Sequence, residues 1–155
     1  MLLVSGALVL AASNFFSPNP AFATATWVIL TAFFALTVVR LFSYLMAVRV
    51  ITDAHLYTAA SIYLLLGMLW FALYSAIEEI HTGSFTHVTY SAAGTIDRPS
   101  DLQYFSMAAL TLGYGDMLPV SGVVRMLSAL EAGSGALYLA ITVALLVSAH
   151  KQRNR

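Results

Sequence analysis

No Asp, Glu, Lys or Arg occurs before Arg40, and a second charge-free run extends from Ala54 to Ile77. Each run is longer than the ~20 apolar residues that, at ~1.5 Å rise, cross the ~30 Å hydrocarbon core of a bilayer. Soluble domains carry roughly 25% charged residues. This chain of 155 residues has 9%, and 60% of it is hydrophobic. So few charges cannot cover a water-exposed surface, and the sequence reads as an all-α integral membrane protein. Seven Lys and Arg balance seven Asp and Glu, which leaves no basic excess for nucleic acid, and the lack of cysteine removes disulfides and thiolate metal sites.

Four apolar segments follow one another: Leu2 to Phe16, Phe22 to Val50, His55 to Ile80 and Val120 to Ala149. Ser17-Pro18-Asn19-Pro20 closes the first, because prolines there cannot continue a helix. That first segment reads either as a short or truncated transmembrane helix or as a removed signal. Ala21-Phe22-Ala23 has the small residues of a cleavage site, but no positive n-region precedes it. Residues 1 to 54 are thus expected to form an N-terminal transmembrane region of one or two helices. Arg49, and Lys151, Arg153 and Arg155 in the short tail 150 to 155, mark the cytoplasmic side. The expectation is a multi-pass protein of the cell (plasma) membrane with a cytoplasmic C-terminus and no room after residue 149 for a cytosolic ligand-binding domain.

The connection between the third and fourth segments is then external, with Glu78, Glu79, Asp97, Asp101 and Asp116 against Arg98 and Arg125. This acidic excess would concentrate cations. His81 to Pro99 reads as a loop, and Ser100-Asp101-Leu102-Gln103 has the form of a capping box. A helix over Asp101 to Leu110 spans only about 15 Å at ~1.5 Å per residue, so it must re-enter rather than cross. Beyond it, Thr111-Leu112-Gly113-Tyr114-Gly115-Asp116 cannot stay helical, and the chain returns to the surface at Pro119. Non-helical backbone at membrane depth is tolerated only where protein buries it or water lines it. The two glycines admit backbone conformations closed to other residues, so neighbouring carbonyls can face one axis.

This segment resembles the selectivity filter of the bacterial potassium channels. Five fixed letters at about 5% each predict on the order of 5 × 10⁻⁵ chance matches in a chain this long. Residues 55 to 149 look like the family's pore domain: outer helix, re-entrant pore helix with filter, inner helix. Ile62 to Tyr74 looks like the outer helix of short prokaryotic ion-channel proteins that lack a large cytosolic domain. The resemblance implies a homotetramer giving passive, potassium-selective permeation, with no enzyme activity and no cofactor. Potassium would be held by Thr111, Leu112, Gly113, Tyr114 and Gly115, whose carbonyls stand in for its hydration shell. The Thr111 hydroxyl would add a ring of oxygens at the inner end. Tyr104, Asp116, Pro119 and Arg125 match filter-supporting and outer-mouth positions, and Gly135, with Gly133 close by, matches the inner-helix hinge. Three residues depart from the pattern: Leu110 where a second threonine is common, Leu112 where valine is, and Met107 where some members place an acid. Partners are K⁺, membrane lipid and further copies of the chain. The other readings are a poorly selective cation channel, or a non-conducting subunit that regulates other channels.

Glu131 lies inside the fourth segment, where an ionised group costs roughly 2.5–3.5 kcal/mol on insertion scales. It is expected to bond to the back of the filter or pore helix or to form an acidic ring near the cavity. The plainer alternative is a neutral glutamic acid in the bundle. Gly133-Ser134-Gly135 reads equally as a hinge or as a close-packing stripe. Arg40 and Arg49 are too few for a voltage-sensing helix, and Arg40 is expected to snorkel or pair near the inner face. His81 and His87 read as solvated loop residues, and the four histidines, with His55 and His150, are scattered.

Overall fold

The computed structural model describes residues 20–47, 52–87 and 99–153. The first apolar segment, Arg49, Asp97, Arg98 and Arg155 lie outside the described residues. Helix α1 spans Pro20–Met46, α2 Asp53–Ile80, α3 Pro99–Thr111 and α4 Gly122–Arg153; strand β1 is Phe85–His87 and β2 is Met117–Pro119. Three of the helices, α1, α2 and α4, are long and apolar enough to cross a membrane. α3 is too short to do so.

α1 opens on Pro20, whose missing N–H would have had no partner in a first helical turn. Its hydroxyls fold back on the helix. Thr24, Thr26, Thr31, Thr37 and Ser43 each donate to the carbonyl four residues earlier, at 2.7–3.0 Å. That satisfies them without water, as lipid requires. α2 begins after Thr52, whose N–H donates to His55 Nδ1 at 3.0 Å. The buried His55 ring also stacks on Tyr44 at 5.6 Å, so the α1–α2 junction is tied by a histidine that sequence reading left unassigned.

Two apolar clusters order the bundle. At the end that carries β1 and β2, Phe71 and Tyr74 of α2, Phe85 of β1, Leu102 and Phe105 of α3, Met117 of β2 and Val124 of α4 are buried together. Tyr74, Phe85 and Phe105 meet edge to face with ring centroids 5.0–5.6 Å apart, an arrangement the aromatic quadrupole favours. At the other end, Leu45, Ala59, Ile62 and Tyr138 join α1, α2 and α4.

The 81 to 99 segment is not all loop. β1 pairs antiparallel with β2, Phe85 opposite Pro119 and His87 opposite Met117. The Glu78 carboxylate holds the turn before it, accepting from the Gly83 N–H at 2.5 Å and the Ser84 N–H at 3.0 Å. Gly83 has φ 87°, a left-handed conformation that suits glycine. Glu78 is buried, and its charge serves this turn before it serves any field at the surface.

The candidate filter and its support

Residues Thr111 to Asp116 join the C-terminal end of α3 to β2. The α3 helix stops because its last turn closes on one acceptor: the N–H groups of Leu112 and Gly113 both donate to the Ala108 carbonyl at 2.8 Å. Gly113 at φ 58° and Gly115 at φ 78° then take the left-handed conformation. Two glycines so placed, one residue apart, reverse the alternation of peptide planes that an ordinary strand would show. The segment is non-helical from Gly113 to Gly115, and its side chains lack a cover. Leu112 is 82% and Tyr114 72% exposed. The Thr111 hydroxyl donates to the Met107 carbonyl at 3.1 Å, which leaves its lone pairs free to accept.

At the far end of the segment, Asp116 Oδ1 accepts from the Met117 N–H at 3.0 Å. The Tyr104 hydroxyl is raised above its ordinary pKa, by loss of surrounding water and then by hydrogen bonding to Asp116. Tyr104 and Asp116, picked out separately in the sequence, are therefore neighbours. Pro119 is held in β2 opposite Phe85. Arg125 is exposed on the first turn of α4, and Arg40 is exposed on α1.

Behind α3 the packing is tight. A Cβ on Gly67 of α2 would lie 2.7 Å from Met107 Sδ, so Met107, the departure from the acidic position, fills the α2–α3 contact. A Cβ on Gly135 would lie 2.8 Å from both Leu110 Cδ2 and the Leu110 carbonyl oxygen, whereas Gly133 has nothing within 4 Å. The two glycines thus separate: Gly135 permits α4 to touch the end of α3, and Gly133 does not. α4 continues as helix through both.

Glu131 is fully buried, facing α2 and α3. Tyr74 donates its hydroxyl to Glu131 Oε2 at 2.7 Å, and Ser106 Oγ lies 2.6 Å from Oε1. One turn on, Ser134 donates to the Glu131 carbonyl at 2.8 Å and accepts from Trp70 Nε1 at 3.3 Å. Through Ser106 the carboxyl is bonded to the pore-helix candidate α3.

Two supporting residues were missed. Tyr63 donates to the Leu110 carbonyl at 3.3 Å, satisfying an oxygen that the end of α3 leaves orphaned. Tyr74 anchors Glu131. The available signal was spacing: Tyr63 and Tyr74 are eleven residues apart, about three turns at 3.6 residues each, so they share one face of α2 with Gly67 between them. No family model, no curated protein and no solved structure matches the chain.

Proposed function

We propose that this chain is one subunit of a homotetrameric, potassium-selective membrane channel, with Thr111 to Gly115 as its filter. The observation that carries the reading is the uncovered Thr111–Gly115 segment, helical only at Thr111 and with left-handed glycines at 113 and 115, set between two helices long enough to span. An ion entering such a pore loses water, and four copies of a carbonyl-lined segment replace it. α3 supports this electrostatically, since the negative end of its dipole lies at Thr111, next to the ion path. The Thr111 hydroxyl, having given its proton to Met107, offers an oxygen at the inner end. One chain makes one wall, and the bare Leu112 and Tyr114 side chains call for neighbours.

α3 re-enters from the outside, and the α4 end and the α1–α2 connection face the cytoplasm, with the plasma membrane as the setting. The chain makes and breaks no covalent bond; it lets K⁺ run down its gradient. Liposomes holding the purified protein and a potassium gradient test this. The expected result is a K⁺ flux that barium blocks and that sodium does not replace. Equal sodium flux would make it a poorly selective cation channel, and no flux from the pure protein would favour a non-conducting regulatory subunit.

A further inference from the structure

Counting the protons around Glu131 assigns its state. Ser106 Oγ stands 2.6 Å from Glu131 Oε1 and 2.8 Å from the Gly67 carbonyl oxygen, and the Tyr74 hydroxyl stands 2.7 Å from Oε2. Oxygens this close are bonded through a proton; without one they repel. Serine and tyrosine bring one proton each, and a carbonyl brings none. Three contacts therefore need a third proton. Only Glu131 can supply it.

We infer that Glu131 is an uncharged carboxylic acid acting as the central link of one directed chain. Tyr74 O–H donates to Oε2, Glu131 Oε1–H donates to Ser106 Oγ, and Ser106 O–H donates to the Gly67 carbonyl. An ionised Glu131 would leave one of these close oxygen pairs without a proton. It would also leave a buried charge that no Lys or Arg among the described residues neutralises, since the groups bonded to the carboxyl are the two hydroxyls. Tyr74, Ser106 and Glu131 are each 0% exposed, so water cannot make up the deficit.

The chain passes from α2 to α4 to α3 and back to α2, and it fixes the rotation of α3 five residues before Thr111. Glu131 is in this sense a positioning residue for the filter: it touches no ion. The inference deepens the channel reading and rests on it for the meaning of α3, but the proton count does not depend on conduction.

The test is infrared difference spectroscopy of the full chain in lipid at neutral pH, wild type minus Glu131→Gln. The expected result is a carboxylic-acid carbonyl band present only in wild type. A pair of carboxylate bands in its place would overturn the proposal. Should the variant not fold, isotope-labelled glutamate in a Glu78→Gln, Glu79→Gln chain, whose one remaining glutamate is Glu131, identifies the same band by its shift. Glutamine keeps an oxygen for Tyr74 and an N–H for Ser106, so Glu131→Gln should retain K⁺ flux within about fivefold. Glu131→Ala keeps neither and should lose at least about tenfold. Equal behaviour of the two variants would refute the positioning role. If wild type carries no K⁺ flux, the filter reading fails alone, and the band, with melting of Glu131→Gln above Glu131→Ala, still tests the chain.

Discussion

An alanine at 135 would put its Cβ 2.8 Å from the Leu110 carbonyl oxygen, while one at 133 would meet nothing within 4 Å. Gly135→Ala should therefore lower stability by about 1–3 kcal/mol, the usual cost of overpacking. Gly133→Ala should be neutral or stabilising by up to about 1 kcal/mol, since alanine is the better helix former. Thermal melts in detergent compare the two, and equal melting would contradict the Gly135–Leu110 contact. The sequence flags both glycines but not the difference, because positions two apart on a helix point about 200° away from each other and only the packing says which faces α3. At the proposed filter the sequence is more informative. Gly113 and Gly115 have φ of 58° and 78°, where a Cβ costs roughly 1–2 kcal/mol. Gly113→Ala should abolish K⁺ flux while circular dichroism shows the helices intact; retained flux would remove the need for a left-handed residue there.

Elements were legible in proportion to their length. The second, third and fourth apolar segments became α1, α2 and α4, with ends displaced by a few residues, because some twenty or more apolar residues in lipid have no alternative to helix. α3 starts at Pro99 and ends at Thr111, slightly longer than the capping signal at Ser100 indicates, since proline also fits a first turn. β1 was illegible: three residues have no measurable period, and its partner β2 lies about thirty residues away. What fixes β1 is Glu78, which the sequence presents only as surface acid. Glu78→Ala would strand the buried Ser84 N–H, at about 1–3 kcal/mol, and free the exposed Gly83 N–H to water. Hydrogen exchange at Gly83 and Ser84 should then quicken, with α2 still protected; unchanged exchange would free β1 from this anchor. Between helices, Tyr63→Phe removes the only side-chain donor found on the Leu110 carbonyl among the described residues, worth about 1 kcal/mol. It should lower the melting temperature modestly and leave K⁺-over-Na⁺ preference in place, because the bond lies behind the filter; a variant that no longer excludes sodium would contradict that.

A single copy leaves large apolar side chains uncovered. Leu112 and Tyr114 stand bare beside the segment that sequence resemblance marks as a filter, and Val123, Met126, Leu130 and Leu137 are exposed along α4. A monomer in lipid would have no water-lined path to justify non-helical backbone at that depth. Four copies around one axis would provide it. Four copies are what the proposal requires, from one candidate filter segment per chain and from a resemblance, and the chain itself does not state the number. The supporting frame, Glu131 with Tyr74 and Ser106, was half legible, since a carboxyl in an apolar helix demands partners but does not name them. The most direct measurement is the reversal potential of the purified protein in a planar bilayer with potassium on one side and sodium on the other. A potential driven strongly toward the potassium equilibrium value is expected. A potential near zero, or a bilayer that stays silent, would contradict a potassium-selective pore.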